Sequence, residues 1–258
     1  MRIRGLVVCL ATLLCVGNAS GAIVDVTVTF QNLAPTNSIS YAPIHVGFGN
    51  GTFDAFTVGN PATGGIVPLA ETGSGAQWMA DFTAAEANAV TGSLGAPPIL
   101  PGASVSNTFR IDTDVNQFFT FAGMVLPSND LFIGNDNPQA FQLLDGAGNL
   151  LVNQINQSAA QIWDANSEQA IPANAAFIVG SNAGDRVPEG GNVAFDFSEL
   201  QAYDGLNTPA YEFDADLITA TTAIGRFSFS ATAVPEPGSL SLLGLVGLGI
   251  MVRRRRES

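Results

Sequence analysis

The chain has 258 residues, 47% of them hydrophobic and 12% charged, with a formal net charge of −13. Residues 23–233 hold no lysine, only Arg110, Arg186 and Arg226, against 20 of the chain's 22 Asp and Glu, which leaves −17. Such a surface repels nucleic acid and anionic lipid, whose binding draws on Lys and Arg, and it attracts divalent cations, although self-repulsion that keeps an exported protein dispersed accounts for much of the charge.

At the amino-terminal end, Arg2 and Arg4 precede an apolar core over residues 6–16, and small residues crowd Ala19-Ser20-Gly21-Ala22. This reads as a secretory signal peptide over residues 1–21. Leu13 and Leu14 before Cys15 are too bulky for a lipobox. Both cysteines, Cys9 and Cys15, fall in that segment. The body, residues 22–233, therefore has no disulfide and is held by packing or by metal. Its length suits one core rather than two.

The body alternates short apolar runs with Gly, Pro, Asn and Asp clusters, the pattern of an antiparallel all-β domain. Residues 24–30 alternate with period two and predict a first strand. Residues 44–48 and 53–58 flank Gly49-Asn50-Gly51 and predict a hairpin. Residues 77–90 carry Trp78, Phe82 and Ala85 on one face and predict the single short helix. Residues 104–111 and 118–126 read as two long central strands. Residues 141–144 and 150–155 flank a turn at 145–149 and predict another hairpin. Further strands are expected at 177–180, 193–197, 211–218 and 224–231. The expected fold is an antiparallel β-sandwich of about eight or more strands. Gly64, Gly65 and Gly134, each at a turn, are expected where a side chain fits poorly.

The chain closes with Val234-Pro235-Glu236-Pro237-Gly238-Ser239, an apolar run over residues 240–252, and Arg253 to Arg256. Proline breaks regular structure, the run is shorter than a comfortable span of about 20 residues, and four arginines resist translocation. This segment, 234–258, resembles the PEP-CTERM sorting tail of exported Gram-negative proteins. The resemblance implies processing by an exosortase and contact with the membrane through residues 240–252 beforehand. An ordinary membrane anchor is the plainer alternative.

Within the body, five blocks in order resemble the spondin domain. They are Phe30-Gln31-Asn32-Leu33; residues 53–59 running into Asn60-Pro61-Ala62-Thr63-Gly64-Gly65 and on to Leu69-Ala70-Glu71-Thr72-Gly73; Ile99-Leu100-Pro101-Gly102; Met124-Val125-Leu126-Pro127-Ser128-Asn129-Asp130-Leu131-Phe132-Ile133-Gly134; and Trp163-Asp164-Ala165-Asn166-Ser167-Glu168. The likeness covers residues 24–178; Asn166 stands where the family has glycine, and Asn tolerates a left-handed backbone. It implies a β-sandwich with calcium held by loop carboxylates and a role in cell-surface or matrix binding.

The residues themselves lead to the same chemistry. Calcium takes six to eight oxygens from Asp, Glu and carbonyls. Asp130 follows an apolar strand and should sit at a sandwich tip; Asp164 ends another run, with Glu168 four residues on, and Asp136 stands in an Asn-Asp-Asn turn. All four also suit plain turn formation. Residues 112–123 fail as an EF-hand loop, because Gln117 and Gly123 stand where Gly and Glu are required. Asp112 is left as a weak further ligand.

Catalysis has little to draw on. His45 is the single histidine and lies in an apolar run, as a structural residue would. Zinc lacks ligands, and no phosphate loop is present. The expectation is a non-enzymatic, calcium-stabilised surface or matrix module, with exopolysaccharide as a plausible partner and no nucleic acid. The alternative is a secreted polysaccharide hydrolase using paired carboxylates.

Overall fold

The computed structural model describes residues 21–235. The signal peptide, the apolar run 240–252 and the arginine cluster lie outside the described residues. In chain order the elements are β1 (Ile23–Asn32), β2 (Ser40–Tyr41), β3 (Ile44–Gly49), α1 (Ile66–Thr72), α2 (Ala76–Ala85), β4 (Val90–Leu94), β5 (Ser104–Asp112), β6 (Phe118–Leu126), β7 (Leu131–Gly134), β8 (Gln154–Ser158), β9 (Ile162–Asp164), β10 (Ala194–Phe195) and β11 (Ala223–Ala233). All pairings between these strands are antiparallel. Four strands form one sheet in the order β5-β1-β11-β8, and seven form the other, β10-β9-β7-β6-β3-β4 with β2 beside β6. The expected all-β sandwich is what the chain builds.

Period-two patterning explains the first sheet. Val24, Val26, Val28 and Phe30 of β1 are buried, while Asp25, Thr27 and Thr29 face outward, as in a sheet with one solvated face. Ile224, Phe227 and Phe229 of β11 join them, and Phe227 meets Phe121 of β6 at a ring distance of 4.4 Å. β6 is buried almost throughout, because both its faces are covered. Phe119 and Phe121 point into the sandwich core, and Ala122 meets a second core beneath α1 and α2. In that second core Phe53 stacks on Phe82, with ring centroids 4.4 Å apart, and meets Trp78 edge-on.

Several expected elements differ. Residues 53–58 form no strand, because Glu86 reaches back and accepts from Asn50 N, Thr52 N (2.8 Å) and Phe53 N (2.6 Å). Those donors are withdrawn from any ladder, and β3 pairs with β4 and β6 instead. Glu86 is itself extended, so α2 stops at Ala85 and residues 90–94 become β4. α1 is a second helix, ended by Gly73 in the left-handed region (φ 72°), whose N–H donates to Leu69 O. β5 is an edge strand rather than a central one. The hairpin expected around 145–149 shrinks to a bridge between Leu144 and Leu150, and residues 177–180 and 211–218 form no strand. Close approach holds at Gly65, where a Cβ would lie 3.1 Å from Trp78 Cα, and at Gly134, 3.2 Å from Phe121 O; Gly64 faces open space.

Candidate functional site

The site is assembled at the end of the seven-stranded sheet by strand register. Leu131 of β7 lies opposite Asp164 of β9, so Asp130, one residue earlier, arrives beside Asp164. The segment after β10 then returns as a 3-10 turn over Ser198–Tyr203. It docks through Tyr203, whose hydroxyl donates to Asn129 Oδ1 at 3.0 Å, and brings Glu199 to the same place. One carboxylate oxygen each from Asp130, Asp164 and Glu199 lies within 4.8 Å of the other two.

Asp130 is fully buried rather than held at an open tip. Its Oδ2 accepts from Ser167 N (2.8 Å), Ser167 Oγ (3.2 Å) and Glu168 N (3.0 Å), while its Oδ1 has no hydrogen-bond partner. Asp164 is buried and accepts from Asn166 N at 2.6 Å; Asn166 has φ 49°, the left-handed conformation that Asn tolerates. Glu199 Oε2 is buried without a partner.

The electrostatics follow. Burial first, and then the Asp130 charge, push the Asp164 carboxyl up to about 7. Burial and then Asp164 and Asp130 push Glu199 up to about 8. Asp130 is also raised by burial, against the pull of its hydrogen bonds to residues 167 and 168. Three carboxylates this close cannot all ionise without a compensating charge. Proton uptake by Asp164 and Glu199 near neutral pH relieves this repulsion.

Of the four residues expected to share an ion, the structure brings Asp130 and Asp164 together. Glu168 points elsewhere. Its Oε1 accepts from Arg186 Nε, and its Oε2 from Asn174 Nδ2 at 3.0 Å. Arg186 also pairs with the buried Glu71 of α1, and Ser167 Oγ joins Glu71 Oε1 (2.9 Å) to Asp130. A half-exposed arginine thus pairs with two buried carboxylates beside the trio and offsets one of their two charges. Asp136 is exposed on the rim of a separate groove. Asp112, on the other sheet, accepts from Asp114 N at 3.0 Å as a turn former. Glu199 escaped sequence reasoning because it lies 35 positions from Asp164 in a polar stretch with no periodicity.

His45 has both ring nitrogens occupied. Nε2 lies 3.0 Å from Gly73 O, an acceptor only, so Nε2 carries the hydrogen, and Nδ1 accepts from Ser93 Oγ at 2.9 Å. Burial lowers its pKa, so the ring is neutral at pH 7.

Residues 233–256 match the PEP-CTERM protein-sorting motif. That motif marks an exported protein processed by an exosortase. No curated protein matches the chain. Among the described residues, no helix is long and apolar enough to cross a membrane.

Proposed function

We propose that the chain is a non-enzymatic binding module of the cell surface or extracellular matrix, stabilised by calcium held between Asp130, Asp164 and Glu199. The observation that carries this reading is the convergence of three carboxylates with two buried oxygens, Asp130 Oδ1 and Glu199 Oε2, that have no donor among the described residues. Buried polar atoms are nearly always satisfied, and an all-oxygen, anionic cage suits a hard divalent cation. Calcium there supplies the positive charge that relieves the repulsion. The chain's own residues fix the cage: Ser167 and Glu168 hold Asp130, Asn166 holds Asp164, and Tyr203 anchors the turn bearing Glu199.

The order of the five spondin-like blocks and the sandwich fold support the binding role. The sorting motif supports delivery to the envelope, with residues 240–252 as the membrane segment before processing. Exopolysaccharide is the matrix component we favour as partner. A polysaccharide hydrolase would hold its two carboxyls about 5 to 9.5 Å apart across a sugar-sized cleft. Here one oxygen each of Asp130, Asp164 and Glu199 lies within 4.8 Å of the other two, and Asp130 and Asp164 are buried, which favours an ion between them over a sugar.

The test is retention of the purified protein on extracellular matrix from its host, with millimolar calcium or with chelator. Retention that depends on calcium, without release of reducing sugar, is expected. Release of reducing sugar that disappears in Asp164→Asn would replace the module by the enzyme.

A further inference from the structure

A second feature lies apart from the carboxylate trio. Where β8, the edge of the four-stranded sheet, approaches β10, the edge of the seven-stranded sheet, they border a groove of about 320 Å³. Val58, Asp136, Gln157, Gln161, Trp163 and Phe195 are among its lining residues.

Phe195 is 54% exposed, unusual for a phenylalanine on a well-packed sheet. It lies flat on Trp163, with ring centroids 3.5 Å apart and planes 20° apart. Trp163 is buried and anchored by its Nε1 donating to Gly134 O at 2.9 Å. The outer ring is thus a supported aromatic platform at the groove.

Gln157 is 4% exposed. Its Nε2 donates to Asn156 O at 3.2 Å, which fixes the amide orientation, because a carbonyl can face only the nitrogen. Its Oε1 then has no donor. Buried carbonyls are nearly always paired, so a ligand hydroxyl, or water in its place, would complete Gln157. Gln161 Oε1 accepts from Ser158 N at 2.9 Å, leaving the Nε2 hydrogens for a ligand. Asp136 adds an exposed acceptor at the rim.

Among the described residues no arginine or lysine lines the groove, so phosphate, sulfate and uronate find no counter-charge from them. An aromatic face combined with single amide groups and one rim carboxylate matches a pyranose ring, which offers a C–H face for stacking and hydroxyls that both donate and accept.

We propose that this groove binds one neutral sugar residue of a glycan, stacked on Phe195 and hydrogen-bonded through Gln157 and Asp136. The inference deepens the binding-module reading and rests on it for the biological partner, though not for the groove's chemistry.

The test is saturation-transfer NMR on the purified protein with glucose, galactose, mannose, N-acetylglucosamine and their β-linked disaccharides as probes. Transfer to the ring protons of at least one probe is expected, with affinity at least about tenfold weaker in Phe195→Ala and in Gln157→Leu. Gln157→Leu removes the donor to Asn156 O along with the unpaired Oε1, so its melting temperature is measured beside the parent, and a folded variant is required for the comparison. Absence of transfer from every probe, or equal affinity in both variants, overturns the proposal. So does preferential binding of an extended apolar peptide to the same groove.

Matrix retention separates the two readings. Retention that survives both groove variants keeps the module and removes the groove; sugar binding without any matrix retention does the reverse.

Discussion

Tyr203 and Asn129 are joined by a buried hydrogen bond, the phenol donating to Asn129 Oδ1 over 3.0 Å. That bond ties the turn carrying Glu199 to the residue that precedes Asp130. Tyr203→Phe leaves Asn129 Oδ1 buried and unpaired, which should cost about 1–3 kcal/mol and loosen Glu199. Urea denaturation should show the loss, and the response to calcium should shrink with it. An unchanged midpoint and an unchanged calcium response would remove Tyr203 from the scaffold of the site.

Calcium should raise the melting temperature beyond matched sodium chloride, because an ion bound only by the folded state stabilises by about 2.7 kcal/mol at a hundredfold excess over Kd. At roughly 2–4 °C per kcal/mol for a domain of this size, that is several degrees. Asp130→Asn, Asp164→Asn and Glu199→Gln should each blunt the response. Asp145→Asn should not, since Asp145 accepts from Ala147 N and Asn149 N within its own turn. Scanning fluorimetry with chelator or calcium is sufficient, and equal melting temperatures in both would reduce the trio to three buried acids.

The pH dependence has a definite sign. Asp164 and Glu199 have folded pKa values of about 7 and about 8, above their ordinary 3.8 and 4.5. Raised carboxyls contribute stability that is complete below the unfolded pKa and is lost as pH rises through the folded one. In chelator, these two groups should therefore lower the melting temperature as pH rises from about 4 to 8, with a plateau above. Calcium needs the ionised form, so its affinity should rise over the same interval and oppose the fall. His45 acts in the other direction: its lowered pKa means stability is lost as pH drops below about 6.5. A chelated protein that gains stability from about pH 6.5 to 8 would contradict the assignment.

Arg186→Ala leaves Glu71 and Glu168 buried beside Asp130 without their cation. The cost should be about 2–3 kcal/mol, below that of a fully buried pair because Arg186 is half exposed. Lowering the pH should recover part of it as the stranded carboxyls take up protons. Arg110→Ala, which breaks an exposed, solvent-screened pair with Asp25, should leave stability nearly unchanged. Similar losses in the two variants would argue against a special role for Arg186.

The sequence alone determined the features that depend on neighbours in the chain. The alternation of residues 24–30 sets which face of β1 is buried, the apolar run at 118–126 marks a strand covered on both sides, and Trp78 and Phe82 lie one turn apart on a buried helix face. The sorting tail is likewise a contiguous pattern, matched over residues 233–256. The places of Asp130, shortly after one apolar strand, and of Asp164, at the end of another apolar run, were legible in the sequence. The partners of each carboxylate were decided only by tertiary structure. Register between β7 and β9 and the docking of Tyr203 bring Glu199 to Asp130 and Asp164, while Arg186 draws Glu168 away and Asp136 is left at the rim of the aromatic groove. Glu86 likewise took the backbone donors that residues 50–53 needed to continue as a hairpin. Periodicity records which residues avoid water; it carries no record of which distant charge or donor a buried carboxylate will meet, and that choice is made by the long-range pairings of the fold.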